Sequence, residues 1–139
     1  MSYSYDRTAA TWAISLLEAK VEWAKVVAEQ AAKRFKSYGG WREHQVKTDV
    51  RVSSQQAVEL TVRSDKFKWT GMATFEMRDK PKVVASVSLD RNAGDDLLQI
   101  LNQLQDDIKE IPIKDTASMD DVIMDISLWF SRTVNQIPA

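Results

Sequence analysis

Any chemistry in this chain would have to be built on few groups, because its 139 residues include one histidine, His44, and no cysteine. Without cysteine there is no disulfide framework, no thiolate zinc site, no iron–sulfur cluster and no thiol nucleophile. A single histidine offers no histidine pair to a metal, and a serine or threonine triad would rest on His44 alone. His44 lies between Glu43 and Gln45, and no serine has the flanking glycines of a nucleophile elbow. The expectation is a structural or surface role for His44, no catalytic residue and no enzymatic activity.

Carboxylates are the next chemistry-bearing groups. Asp106, Asp107 and Glu110 form one cluster, and Asp120, Asp121 and Asp125 form another. Hard cations take oxygen ligands, yet neither cluster contains the glycine of a calcium loop, and Asp120 and Asp121 suit a helix N-terminus. The first cluster falls near the end of an expected helix, where it opposes the dipole and suits a basic neighbour. Gly39-Gly40 has neither the Walker spacing nor the glycine fingerprint of a dinucleotide site, and reads as a helix terminator. No motif for a flavin, pyridoxal phosphate or haem occurs, so neither a cofactor nor a metal is expected.

Binding is better supplied than catalysis. Basic and aromatic residues interleave in Lys33, Arg34, Lys36, Tyr38, Trp41, Arg42 and His44, and cations recur at Lys66, Lys68, Arg78, Lys80 and Lys82. Such mixtures suit single-stranded nucleic acid, where cations follow phosphates and rings stack on bases. Five tryptophans, Trp12, Trp23, Trp41, Trp69 and Trp129, are many for this length, and tryptophan is favoured in cores and at interface centres. Net charge is −1, but residues 1–91 hold 16 of the 19 Lys/Arg and 11 of the 20 Asp/Glu, whereas residues 92–139 hold 3 and 9. That split marks either a basic binding surface or two parts of the chain that attract each other where they pack.

The elements that must position these groups follow from periodicity. A stretch from Thr8 to Tyr38 without glycine or proline, ended by Gly39-Gly40, predicts a helix over 8–38. At about 100° per residue, Trp12, Leu16, Ala19, Trp23, Val26 and Val27 share one side of it. Ile14, Leu17, Val21, Ala24, Ala28, Ala32 and Phe35 occupy nearly the opposite side. The helix thus carries two apolar faces, one more than a helix lying on a single sheet requires.

Between about 43 and 89 the period becomes 2, which predicts strands over about 43–52, 57–63, 66–77 and 82–89. A two-residue turn at Ser64-Asp65 sets Val62 opposite Phe67, a three-residue turn at Asp79-Lys80-Pro81 sets Met77 opposite Val83, and the first hairpin sets Val52 opposite Val58. Every such pairing keeps the apolar residues on one face. Leu97, Ile100, Leu101, Leu104 and Ile108 then predict a helix over about 95–109, stopped by Pro112. Ser118 with Asp121 is a capping pattern, and Met119, Val122, Ile123, Ile126, Trp129, Phe130 and Val134 predict a third helix over about 119–135.

The expected fold is therefore α+β and one domain over 1–139: a long N-terminal helix, a four-stranded antiparallel meander and two C-terminal helices, packed with the first helix on the apolar sheet face. Met1–Thr11 has no apolar run of signal-peptide type and no segment has about 20 apolar residues, so a cytoplasmic protein without membrane contact is expected. The expected function is a non-enzymatic protein-binding module, an adaptor, assembly or chaperone-like protein by analogy of shape. It would act as a homo-oligomer or on another protein through the stripe of Trp12, Leu16, Ala19, Trp23, Val26 and Val27. The alternative is a single-stranded nucleic-acid-binding module using Lys33, Arg34, Lys36, Trp41, Arg42, Lys66 and Lys68. A small-ligand pocket between helix and sheet is a third possibility.

Overall fold

Alternating side chains in the middle of the chain build an antiparallel sheet, and helical stripes on either side of it build the layer that covers one face. In the computed structural model the described residues are 17–37, 45–54, 56–89, 98–99, 110–114 and 118–135. Helix α1 (Leu17–Ser37) precedes strands β1 (Lys47–Ser54), β2 (Ala57–Ser64), β3 (Trp69–Glu76), β4 (Lys82–Leu89) and β5 (Glu110–Pro112), and helix α2 (Met119–Val134) follows. The sheet order is β1-β2-β3-β4-β5 with every neighbouring pair antiparallel, so the fold is α+β. Neither α1 nor α2 is long and apolar enough to cross a membrane. Leu98 and Gln99 are helical, and the remainder of the helix expected over 95–109 lies outside the described residues, as do residues 8–16 of the first helix.

The first hairpin has the expected register, with Val52 opposite Val58. The second does not: Val62 faces Gly71 instead of Phe67, and Ser64 faces Trp69. Its turn occupies the four residues Asp65–Lys68 and removes Phe67 from the strand expected over 66–77. The cause is local. The Phe67 N–H donates to Ser64 Oγ at 3.1 Å, and Lys68 adopts φ 57°, the left-handed conformation that closes the turn. In the third hairpin Val83 faces Phe75 instead of Met77, because Asp79, also at φ 57°, helps to lengthen the connection to Met77–Pro81. Both displacements are by an even number of residues, so no side chain changes face.

Strand β5 is an addition to the expected meander. Ile111 pairs with Val83 and Glu110 with Val84, and the Ile113 N–H extends the contact by donating to Pro81 O at 2.9 Å. Pro112 is tolerated because β5 is the sheet edge, where a missing N–H breaks no further ladder.

The inner sheet face presents Val58, Leu60, Val62, Trp69, Ala73, Phe75, Val83 and Ala85, all buried. Helix α1 lies against β1 and β2 and also touches α2. Its position between two neighbours accounts for its two apolar faces: Trp23 and Val27 on one side, and Val21, Ala24, Ala28, Ala32 and Phe35 on the other, are all buried. Phe35 meets Phe130 of α2 edge-on, with ring centroids 5.4 Å apart. Phe130 in turn sits over Gly71 of β3, where a β-carbon would stand 2.6 Å from its Cε1. Glycine is required there by close approach, which brings α2 down onto the sheet.

Candidate functional site

The stripe expected to meet a partner is corrected at two of its described members, Trp23 and Val27. Trp23 is 1% exposed and Val27 fully buried, both within the chain's own core. Val26 is half-buried and packs against that core, Ala19 is half-buried, and Trp12 and Leu16 lie outside the described residues. Trp23 and Val27 belong to the core cluster, on a helix that lies against β1 and β2 and touches α2, a cover that one helix read by itself does not reveal.

The described residues among those assigned to nucleic acid are cations from the end of α1 and from the turn between β2 and β3. Lys33 and Lys36 are exposed at the end of α1, whereas Arg34 is half-buried with Nη2 3.9 Å from Asp120 Oδ1. Lys66 is exposed with Nζ 5.5 Å from the Phe67 ring centroid, and Lys68 is exposed at the turn. Trp41, Arg42 and His44 lie outside the described residues. On the outer sheet face the strands present Thr61, Thr70, Met72, Thr74, Ser86 and Ser88, and the aromatic Trp69 and Phe75 point the other way into the core. A depression of about 390 Å³ on that face is lined by Lys47, Asp49, Thr61 and Arg63 among others. Its two cations are already engaged: Lys47 Nζ and Arg63 Nε lie 3.1 and 3.2 Å from the Asp65 carboxylate. The Lys47 hydrogen bond is the main cause holding that carboxyl below its ordinary range.

Helix α2 carries the more distinctive arrangement. Ser118 caps it, its Oγ accepting from the Asp121 N–H at 3.2 Å, while Asp120 and Asp121 occupy the first turn and Arg132 the last, each at the end its charge favours. Met119, Val122, Ile123, Ile126, Trp129, Phe130 and Val134 are buried, so the expected core stripe is the observed one. On the other side Asp121, Met124, Asp125, Leu128 and Arg132 are all exposed. At the helical repeat these five fall within an arc of about 100°.

Met124 is 49% and Leu128 51% exposed, a Met/Leu pair one turn apart in the middle of a charged stripe. Among the described residues, Asp121, Asp125 and Arg132 make no ion pair, although Arg34 takes Asp120 and Lys82 Nζ reaches Glu110 at 3.4 Å. Partial desolvation on the helix face, and secondarily the neighbouring Asp121, push the Asp125 carboxyl above the ordinary carboxylate range although the residue remains exposed.

Beside this stripe a cleft of about 290 Å³ opens between α2 and the edge strand β5. Ile111, Pro112, Leu128 and Trp129 give it an apolar lining, and Glu110, Asp125 and Arg132 give it charge. No group of three or more His, Asp or Glu side chains suited to hold a metal ion occurs among the described residues. Met124 and Leu128 were legible in the sequence as apolar residues about 120° and 160° round the third expected helix from Phe130, off its core stripe. Compared with protein-family models, with curated proteins and with solved structures, the chain matches none of them.

Proposed function

We propose that the chain is a non-enzymatic protein-binding module of the assembly or adaptor kind, that it self-associates, and that its contact surface is the outward face of α2. The observation that carries this reading is the exposed pair Met124 and Leu128, flanked by charges that have no ion-pair partner among the described residues. Apolar side chains ringed by polar ones are the usual composition of a contact patch. The reading keeps the function expected from the two-faced first helix and moves the surface to another helix. A protein partner is favoured over single-stranded nucleic acid because the open sheet face bears threonine, serine and methionine where stacking would need rings.

The test is the mass of the protein in solution across a concentration series, by sedimentation or native mass spectrometry. The wild type is expected above one-chain mass at high concentration. Leu128→Glu is expected to return it to one-chain mass while changing unfolding free energy by no more than about 0.5 kcal/mol, as an exposed substitution should. A wild type that stays at one-chain mass, or a Leu128→Glu variant that associates as well as the wild type, would sink the reading. Retention on single-stranded RNA that falls steeply with salt would favour the nucleic-acid alternative instead.

A further inference from the structure

We infer that the occupant of the α2 face is a second copy of the same chain, docked with its own α2 antiparallel about a two-fold axis, so that Arg132 of each copy lies against Asp121 and Asp125 of the other and Met124 and Leu128 meet between them. The inference rests on the reading of α2 as the contact surface and adds the partner's orientation.

The order of residues along the stripe is what points to this partner. Read from the N-terminal end it runs acid, apolar, acid, apolar, base: Asp121, Met124, Asp125, Leu128, Arg132. Reversing a second copy against the first sets Asp121 against Arg132 and Met124 against Leu128, and leaves Asp125 beside the axis, on the side of the other copy's Arg132 but also about 4 Å in rise from its own counterpart. Parallel docking would instead set arginine against arginine and aspartate against aspartate, which is penalised at close range. A two-fold interface needs a patch that complements itself in this way.

The positions agree as well as the signs. An axis passing level with Ile126 and Ser127 brings Met124 of one copy level with Leu128 of the other. The same axis brings Asp121 level with Arg132, since the midpoints of the two pairs differ by half a residue, about 0.75 Å of rise. Asp121 and Arg132 are eleven residues apart, about three turns, so they lie on the same side of the helix within about 20°. Helical side chains lean toward the N-terminus. Arg132 therefore tilts away from the level of the other copy's Asp121 toward that of its Asp125, and its guanidinium reaches the gap between the two carboxylates. That gap lies between two like charges, neither of which has an ion pair among the described residues.

A single pair of helices makes a contact at the small end of the range for specific interfaces, so the dimer is expected to be weak and to form in proportion to concentration.

A charge exchange along one helix tests the orientation. Arg132→Glu is expected to place like charges together in its own dimer and to raise the dimer dissociation constant at least tenfold. Adding Asp121→Arg to the same chain is expected to lower that constant again at least threefold, because an antiparallel pair sets the two exchanged charges against each other whereas a parallel pair sets each against its like. Circular dichroism and melting curves verify that the variants are folded, and Asp125→Arg replaces Asp121→Arg if loss of the first-turn acid unfolds the chain. If the second substitution recovers nothing in a folded chain while Leu128→Glu still abolishes wild-type association, antiparallel pairing is overturned and α2 remains the contact surface. If the wild type never exceeds one-chain mass, the contact surface itself is overturned.

Discussion

Asp125 sits where two demands on one side chain conflict. Its carboxyl is pushed above the ordinary range, first by partial desolvation and then by Asp121 one turn away. The folded protein therefore holds that proton more tightly than the unfolded chain does. Asp125's contribution to stability is most favourable below the unfolded pKa and is lost as pH rises through the folded one. Asp125→Asn is accordingly expected to match its parent in acid and to melt higher than it at neutral pH. The comparison is made in the Leu128→Glu background, which keeps the proposed self-association out of the measurement. An amide variant that melts lower at neutral pH would show that the charge is compensated within the monomer. At this scale the sequence was a good guide to inside and outside: strand parity put Leu60 and Phe75 in the core, and helical angle did the same for Phe130. It misassigned Trp23, because whether an apolar side chain faces a partner or the chain's own core depends on what covers it. Here Trp23 belongs to one core cluster with residues of the sheet and of α2, which its own helix does not reveal.

Between elements, the decisive contact is that of β3 with α2 at Gly71. A β-carbon there would stand 2.6 Å from Phe130 Cε1 and 3.3 Å from Cδ1. Phe130 has little room to retreat, since it also meets Phe35 and Trp129 edge-on at 5.4 and 5.0 Å between centroids. Gly71→Ala is expected to cost about 1–3 kcal/mol by overpacking. The double variant Gly71→Ala, Phe130→Leu is expected to cost less than the sum of its parts, since the smaller side chain vacates the space. Chemical denaturation of the four proteins of this cycle measures the coupling, and strict additivity would mean that the ring moves aside freely. The alternating strands showed that a sheet forms and which face is apolar, but not its register. Parity is satisfied by any even displacement, and the usual sign of a longer turn, a glycine or asparagine at its left-handed position, is missing where Lys68 and Asp79 adopt φ 57°. Strand β5 was equally hidden, because three residues with a proline at the end display no period.

On the scale of the molecule, part of the chain's uneven charge is met by contacts within the fold. Arg34 with Asp120 and Lys82 with Glu110 join the basic first part to the acidic second part, as expected if the two attract where they pack. Exposed pairs of that kind each contribute at most about 1 kcal/mol. Among the described residues Asp121, Asp125 and Arg132 make no ion pair, and they are the charges of the face proposed to meet a second copy. The split itself was plain in the sequence, whereas which charges would be spent internally was not, because that depends on distances across the fold. Salt separates the antiparallel arrangement from a merely apolar one. The screening length falls from about 10 Å at 0.1 M to about 3 Å at 1 M, so the attraction of Arg132 for the two aspartates weakens and wild-type association is expected to weaken with it. In Arg132→Glu the same charges repel, so added salt is expected to strengthen self-association through Met124 and Leu128. Opposite slopes for the two proteins, read from dimer dissociation constants over this salt range, are the signature of charges that face each other across a two-fold axis. Parallel slopes would assign the association to apolar contact alone.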